Sequence, residues 1–405
     1  MKILARLPLL LFAVNLLNYI DRQIVFAVFP AIQQDLHLSD TQLGLLASAF
    51  MWVYLATAPV FGLLADRGKR PVLMGIGVTI WSACTAMSGL VRSYAGLVAA
   101  RAAVGVGEAS YGAIAPAVLS DACPPEQRGR LLAFFSMAIP VGSALGYLLG
   151  GALEQAVGWR AVFMLVGIPG IIVAVLVSRL PDRLHDAVQD GRARPGRAAY
   201  RELLKTRSYR ANCAAMTAMT FALGGMAAWV PTYLVRVRGM ALAEANLVFG
   251  LLTLASGIGG TVAGGWLGDR LLRRHPAAHL LVSGAGLMLS VPCAAAVILA
   301  NERSTVLAAI FLAEVFVFLN TGPLNAVIAA VSGAPVRATA FAINIFVIHL
   351  LGDAISPTIM GLLSERYGLA SALWIAPASL LLAAVCCFWG GRVLPADIER
   401  LTGAI

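Results

Sequence analysis

Two groups of polar and charged residues interrupt the most apolar stretches of this chain. They are Asn18, Tyr19, Asp21 and Arg22 in "NYIDRQIVFAVFP" (18–30), and Arg101 and Glu108 in "RAAVGVGEASYGAIAP" (101–116). Ionisable side chains at membrane depth are energetically costly, and this cost makes them functional candidates by default. Because arginine does not release its proton, any proton exchange in this set must occur at a carboxylate.

The four ionisable residues of this set, two acids and two arginines, can form ion pairs in more than one way. Asp21 can neutralise Arg101, whereas Glu108 can neutralise either Arg22 or Arg101. One hypothesis is a static ion-pair network that only holds two helices together. The other is a proton switch, because a carboxylate whose arginine contact changes between two states also changes its proton affinity. We predict proton coupling at Glu108 first and at Asp21 second, and anion binding at Arg22 and Arg101.

The composition predicts the elements that must position these residues. Of the 405 residues, 60% are hydrophobic and 12% charged, and the mean hydropathy is +0.83. Since about 20 apolar residues cross a bilayer as a helix, the sequence predicts twelve spans. They lie near 8–30, 41–64, 71–91, 94–121, 129–153, 159–180, 209–235, 243–268, 277–299, 304–331, 337–363 and 369–391. The predicted fold class is an all-α membrane protein. Short alternating segments typical of a β-barrel do not occur.

The basic residues predict the orientation. Of the 30 lysines and arginines, 22 fall in alternate loops that include both termini. By the positive-inside rule both termini are expected in the cytoplasm, in a multi-pass protein of the inner (plasma) membrane whose first helix is not cleaved. The net charge of +10 thus indicates topology and not a nucleic-acid partner. The six cysteines lack metal-ligand spacing, and we expect no metal and no cofactor.

Two motifs of the first half recur in the second half and divide the chain into similar halves. "GLLADRGKR" (62–70) resembles "GWLGDRLLRR" (265–274), with Asp66 and Asp269 203 residues apart, and Arg128 and Arg337 are 209 residues apart. The polar segment 181–208 separates them. We therefore predict a six-helix bundle over 1–180, a basic cytoplasmic loop over 181–208, a second bundle over 209–392 and a tail over 393–405. Two such bundles form a transporter architecture with substrate near the membrane midplane.

Several further residues are candidates for conformational gating. The charged ones are Asp66, Arg67, Arg70, Arg128, Asp269 and Arg270. They are predicted to form charge pairs that hold one state closed, although they could equally serve only to set topology. In "FFSMAIPVGSALGYLLGG", Pro140 removes a helix hydrogen bond and Gly142 begins a smooth face. This pattern predicts a bendable helix, or simply close packing against a neighbour.

The second half carries its own intramembrane polar residues. His349 and Asp353 lie four apart, on one face of a predicted helix, and Glu314 is a lone acid in the tenth span. They are predicted to form a secondary polar site. A local hydrogen-bonded pair between His349 and Asp353 fits the spacing equally well.

Four motifs resemble the Spinster family of the major facilitator superfamily: NYIDR, RAAVGVGEASYGAIAP, SMAIPVGSALGYLLGG and HLLGDAISP. The resemblance covers most of the chain. It implies two pseudo-symmetric six-helix bundles and transport of lysophospholipids or sphingoid phosphates, with proton coupling and alternating access. By the same resemblance, Asp21, Arg22, Arg101 and Glu108 match the family's central charged residues.

The residues of the spans favour an amphipathic anionic substrate. Mid-span amides are few, whereas sugar carriers need many amides and hydroxyls. We predict that Arg22 and Arg101, with Asn18, Tyr19 and Tyr111, bind the substrate. The alternatives are a proton symporter for small organic anions such as sugar acids, and a multidrug efflux carrier. A membrane enzyme is not expected, because four of the five histidines lie in loops or at span ends. The expected partners are a small amphipathic or lipid substrate, protons and membrane lipids, around a monomer.

Overall fold

A computed structural model describes residues 2–65, 70–121, 131–132, 134–180, 197–333 and 336–402, and every regular element within them is helical. In the first half the helices are Lys2–Ala27 (α1), Phe29–Leu36 (α2), Asp40–Ala65 (α3), Arg70–Ser88 (α4), Tyr94–Asp121 (α5) and Ala138–Ser178 (α6). They continue with Arg197–Lys205 (α7), Arg207–Arg236 (α8), Leu242–Leu272 (α9), Ala278–Leu299 (α10), Arg303–Phe318 (α11) and Thr321–Val331 (α12). The last are Arg337–Ile348 (α13), a π-helix at His349–Asp353, Ser356–Tyr367 (α14), Leu369–Ala372 (α15) and Ile375–Thr402 (α16).

The predicted number of membrane spans is confirmed. Among the described residues, eleven helical stretches are long and apolar enough to cross a membrane. One of them, Phe134–Ser178, has 45 residues and contains two predicted spans. It bends at Gly158, whose φ of 78° and ψ of 156° lie outside the helical region. Glycine adopts this positive φ without the steric cost that a side chain would bring, so the helix bends there and divides into the two predicted spans.

The helices form two compact units. The first comprises 1–191 with 227–251, and the second comprises 192–226 with 252–405. The inclusion of 227–251 in the first unit follows from specific contacts. Tyr147 donates a hydrogen bond to the carbonyl of Ala227 at 2.8 Å, and Asn246 donates one to the carbonyl of Ala27 at 3.0 Å. The division at 181–208 stays a prediction.

Two segments predicted to lack spans contain helix. The described part of the predicted loop begins at Arg197 and forms α7, and α16 continues through the predicted tail as far as Thr402. Neither segment has the length and apolarity of a span of its own. The helical pattern thus extends beyond the apolar stretches from which the elements were predicted.

Small residues bring the first-unit helices together. Gly142, Gly146 and Gly150 place one face of α6 directly against α1: a Cβ at Gly146 would lie 2.7 Å from the Cβ of Gln23. Gly105 similarly brings α5 against α3, where an added Cβ would lie 2.5 Å from the carbonyl oxygen of Phe50. Small residues at such contacts allow the close backbone approach that stabilises helix packing in membranes. This packing holds α1 and α5, the two helices that carry the charged residues, within the first unit.

The second unit contains two interruptions within predicted spans. Between α11 and α12, the Asn320 side chain donates hydrogen bonds to the carbonyls of Phe316 and Val317 at 2.8 and 3.0 Å. Between α13 and α14 the backbone forms the π-helix His349–Asp353. Such π-helical turns are rare and occur frequently at functional sites.

Candidate functional site

Two ion pairs join α1 to α5 inside the first unit. Arg22 Nε lies 2.7 Å from Glu108 Oε2, and Arg101 Nη1 lies 3.1 Å from Asp21 Oδ1. Asp21 and Arg22 are adjacent in sequence, so their side chains leave α1 in different directions and meet different residues of α5. Of the pairings that the sequence allows, the structure selects Glu108 with Arg22 and Asp21 with Arg101.

The Asp21–Arg101 pair is enclosed. Each residue is only 1% exposed, the Thr85 hydroxyl donates to Asp21 Oδ2, and the Arg101 guanidinium lies 5.4 Å from the centre of the Phe50 ring. A fully buried ion pair is costly to form, but removing one partner alone leaves an uncompensated buried charge. The geometry makes this pair a strong determinant of how α1, α4 and α5 fit together.

The Arg22–Glu108 pair is more open on one side. The Arg22 side chain is 16% exposed, whereas that of Glu108 is 0% exposed. Three aromatic rings surround the guanidinium, with centroids 5.2 Å (Tyr19), 5.1 Å (Phe50) and 5.0 Å (Tyr54) away. Cation–π contacts of this kind hold an arginine without neutralising it. Arg22 is therefore the better placed of the two arginines to meet a ligand.

Only one of the two carboxylate oxygens of Glu108 accepts a hydrogen bond from a described residue. Its Oε2 accepts the hydrogen bond from Arg22, while Oε1 is buried and has no hydrogen-bond partner among the described residues. A buried polar atom without a partner calls for a physical explanation. A carboxylate oxygen that is not already held by a hydrogen bond is chemically suited to accept a proton.

The remaining predicted substrate residues differ in their surroundings. Tyr19 lies beside Arg22, and Asn18 is buried, with a side-chain nitrogen that has no partner among the described residues. Tyr111 is enclosed: its hydroxyl donates to the carbonyl of Leu11 at 2.5 Å, and its ring meets that of Trp81 edge to face. Through these contacts Tyr111 joins α5 to α1 and to α4.

The predicted gating charges are only partly described. Asp66, Arg67 and Arg128 lie outside the described residues. Arg70 Nε donates to the carbonyl of Ala65 at 3.4 Å, and Asp269 is exposed, 4.0 Å from His279 Nε2. Arg270 lies over the ring of Trp266 at 5.1 Å. Their gating role stays a prediction.

The predicted hinge residues lie where α6 begins. The helix is interrupted at Met137, three residues before Pro140. Proline has no backbone N–H and so cannot donate a hydrogen bond to the preceding turn. Gly142 faces α1, where an added Cβ would lie 2.7 Å from the Cβ of Tyr19. Close packing is thus visible at Gly142, and bending during transport stays a prediction.

The second unit holds two further polar groups, and their role as a secondary polar site stays a prediction. Glu314 is 6% exposed and accepts hydrogen bonds from Thr253 at 2.9 Å and Ser256 at 2.8 Å. His349 Nδ1 lies 3.0 Å from both carboxylate oxygens of Asp353, within the π-helix. The structure therefore makes His349 and Asp353 a local pair.

Comparison with known proteins identifies the family. The Major Facilitator Superfamily model matches residues 11–357. Protein spinster homolog 1 of Xenopus tropicalis is 34% identical over 411 residues, covering 95% of this chain and 78% of that protein. The chain belongs to the Spinster family. Protein spinster of Drosophila melanogaster is 33% identical over 365 residues; the match covers 87% of this chain and 60% of the longer fly protein.

A solved structure supports the same fold. A bacterial homologue of the human lysosomal transporter Spinster, crystallised inward-facing and unoccupied, matches with a TM-score of 0.88 at 23% identity. The match covers 98% of both chains. This Spinster-family chain is accordingly a multi-pass membrane transporter and not an enzyme.

Sequence reasoning missed several residues around the charged groups of this Spinster-family protein. Thr85, Phe50 and Tyr54 surround the first-unit ion pairs, but a single hydroxyl or ring in an apolar span carries no distinctive signal. It also missed a polar cluster in which Arg236 donates to both carboxylate oxygens of Asp40, at 2.9 and 3.1 Å, and to Gln33 at 3.1 Å. Arg236 and Asp40 are 196 residues apart in sequence, so only the fold brings them together.

Proposed function

We propose that this Spinster-family transporter moves an amphipathic anion, of the lysophospholipid or sphingoid-phosphate type, by proton-coupled alternating access. The observation that carries the proposal is the 2.7 Å contact between Arg22 and Glu108. In this contact the Arg22 guanidinium donates a hydrogen bond to Glu108 Oε2, while Glu108 Oε1 has no hydrogen-bond partner among the described residues. The same guanidinium is the group that an anionic substrate would need.

Charge balance links the proton to the substrate. With Asp21 and Glu108 ionised, the two acids balance Arg22 and Arg101, and the group is neutral. Protonation of Glu108 leaves one positive charge in excess and frees Arg22 from its carboxylate partner. An anionic headgroup can then take the place of Glu108 beside Arg22. Proton and anion thus favour each other's binding, and this reciprocity is what coupling requires.

The surroundings of Arg22 favour a substrate with an apolar part. Tyr19, Phe50 and Tyr54 form the walls beside the guanidinium, and amide side chains are scarce at membrane depth. A polyol or sugar acid would lose its hydration shell without gaining equivalent hydrogen bonds. An acyl or sphingoid chain loses little when it leaves water and gains contact with apolar walls. We place this transporter in the inner membrane with both termini in the cytoplasm, as the distribution of basic residues favours.

The test is ligand binding as a function of pH. Purified protein in neutral detergent is titrated with a lysophosphatidylglycerol and, in a separate series, with a hexuronate. We expect saturable binding of the lysolipid only, with an affinity that rises as pH falls, by up to about tenfold per pH unit for one coupled proton. In Glu108→Gln this pH dependence should disappear.

The control variant is Glu302→Gln, which removes an exposed acid outside the site and should keep the wild-type pH profile. An unchanged pH profile in Glu108→Gln would remove Glu108 from the coupling role. Saturable binding of the hexuronate alone would overturn the proposed substrate class.

A further inference from the structure

A crevice lies in the second unit and shares no lining residue with the ion pairs described above. It has a volume of about 490 Å³ and lies between α8, α13 and α16. Among its lining residues are Thr217 and Phe221 of α8, Val347 and Leu351 near the π-helix, and Leu382 of α16. Leu351 and Leu382 are exposed, although both are large apolar side chains. An apolar opening of this kind in a membrane protein faces hydrocarbon at little cost.

Hydrogen bonds between the helices fix the walls of the crevice. At one end, the buried Tyr209 donates a hydrogen bond to the carbonyl of Ala340 at 2.7 Å and so joins α8 to α13. Further along, Ser379 donates to the carbonyl of Ala218 at 2.7 Å and joins α16 to α8. These two bonds hold the three helices that form its walls.

The length of the crevice matches one leaflet. Along α8 its lining runs from Tyr209 to Phe221, which corresponds to about 18 Å at the rise of an α-helix. Half of a bilayer's hydrocarbon core is roughly 15 Å. A chain that entered beside Arg210 would therefore end near the membrane midplane, as an acyl chain of one leaflet does.

The entrance is basic. Arg210 lines the crevice, and Arg207, Lys205 and Arg201 follow at the neighbouring positions of α8 and α7; all four side chains are exposed. The acid among them, Glu202, lies 3.3 Å from Arg400. In α7, Leu203 is buried while Leu204 is exposed and lines the crevice. Cations at one end of an apolar slot are complementary to an anionic headgroup with an attached acyl chain.

We propose that this crevice binds an anionic diacyl phospholipid from the leaflet on the basic side of the membrane. Its phosphate lies at Arg210 and Arg207, and one acyl chain lies along α8 as far as Phe221. The ligand is a resident bilayer lipid and not the transported molecule. The inference does not depend on the proposed function, because it uses no residue of the Arg22–Glu108 site.

The test measures lipid binding directly. Purified protein is titrated in neutral detergent with dioleoyl phosphatidylglycerol and dioleoyl phosphatidylcholine, and bound lipid is counted by native mass spectrometry. We expect wild-type protein to bind the anionic lipid about tenfold or more tightly, because charge-assisted contacts to phosphate are the strong ones. Arg207→Gln with Arg210→Gln should abolish this preference.

The apolar half of the site is tested by filling it. Ala214 is exposed and lines the crevice, so Ala214→Trp should weaken binding of both lipids without disturbing the packed interior. The matched controls are Arg273→Gln with Arg274→Gln, two exposed cations at the end of α9, and Leu289→Trp, an exposed position of α10. Both controls should bind lipid as the wild type does.

Four results would overturn the proposal. One is equal affinity of the wild type for the two lipids, and another is wild-type binding by the Arg207/Arg210 or Ala214 variants. The third is displacement of the anionic lipid by an equal concentration of glycerol phosphate, which would show that a free phosphate suffices. Stronger binding of lysophosphatidylglycerol than of the diacyl lipid would likewise contradict a resident bilayer lipid.

Discussion

Glu108 of α5 and Glu314 of α11 are buried acids at corresponding positions of the two halves. They lie 206 residues apart, between the offsets of 203 and 209 that relate the other repeated motifs. Their surroundings nevertheless differ. Glu108 meets the guanidinium of Arg22 at 2.7 Å, whereas Glu314 meets the hydroxyls of Thr253 and Ser256. No cation forms an ion pair with Glu314 among the residues that the structure describes.

The difference separates two tasks that an intramembrane acid can perform. A carboxylate held by an arginine belongs to a charge balance, so that a proton or an anion changes the partner that the arginine prefers. A carboxyl held by hydroxyls makes hydrogen bonds that remain satisfiable when its charge changes, because hydroxyl groups can both donate and accept. We therefore expect the first half to carry the coupling and the second half mainly to hold α9 against α11.

The largest expected contrast is in transport. Glu108→Gln should reduce uptake of a fluorescent lysolipid into proteoliposomes to the level of protein-free vesicles, because Arg22 loses its titrating partner. Glu314→Gln should keep most of the wild-type uptake. Equal loss in both variants, with both proteins folded, would erase the proposed difference between the halves.

The next effect concerns the enclosed pair. Arg101→Ala leaves the Asp21 carboxylate buried without its cation, and such a loss typically costs about 3–5 kcal/mol. We expect a marked fall in thermal stability, measured as Tm in detergent. The double variant Arg101→Gln with Asp21→Asn should recover much of it, because no charge is left unpaired. A single variant as stable as the wild type would show that the pair is not a structural determinant.

A smaller effect is expected from the glycines that bring the helices together. At Gly146 an added Cβ would lie 2.7 Å from the Cβ of Gln23, whereas at Gly265 nothing lies within 4 Å. Gly146→Ala should destabilise the protein by about 1–3 kcal/mol through overpacking. Gly265→Ala is the matched control and should leave Tm unchanged or raise it. The same Tm measurement decides between close packing and free space at each position.

The smallest effect is expected at Glu314. In Glu314→Gln an amide replaces the carboxyl, and the Thr253 and Ser256 hydroxyls can reorient to keep their partners. The change in stability should therefore stay within roughly 1 kcal/mol, the net value of a single hydrogen bond. A Tm shift as large as that of Arg101→Ala would instead indicate that Glu314 belongs to a charge network.

Patterns of local sequence predicted most of the fold. Long apolar stretches, the alternation of basic loops and the repeated motifs were sufficient to predict twelve helical spans, because lipid leaves the backbone few alternatives. The same patterns could not show that Phe134–Ser178 bends at Gly158 and otherwise continues as helix. They also could not show that residues 227–251 belong with the first unit, since that depends on contacts such as Tyr147 with Ala227.

The sequence predicted which residues belong to the candidate site, but not which of them contact each other. Asp21, Arg22, Arg101 and Glu108 were recognisable because charge is rare at membrane depth. Tyr111 shares a helical face with Glu108 by its spacing of three, yet its hydroxyl is taken by the carbonyl of Leu11. The spacing of residues along a helix predicts the face on which a side chain lies. Which residue that side chain contacts depends on the neighbouring helices.

By itself, the sequence determined that this chain is a bundle of apolar helices with a few ionisable residues placed deep among them. Periodicity, charge and hydropathy are local properties, and they suffice for that conclusion. Only the tertiary structure decided that Glu108 faces Arg22, that Asp21 and Arg101 are enclosed together, and that Glu314 has hydroxyl partners. Each of these partnerships joins residues at least 58 positions apart in sequence, and the packing of helices alone brings such residues within hydrogen-bond distance.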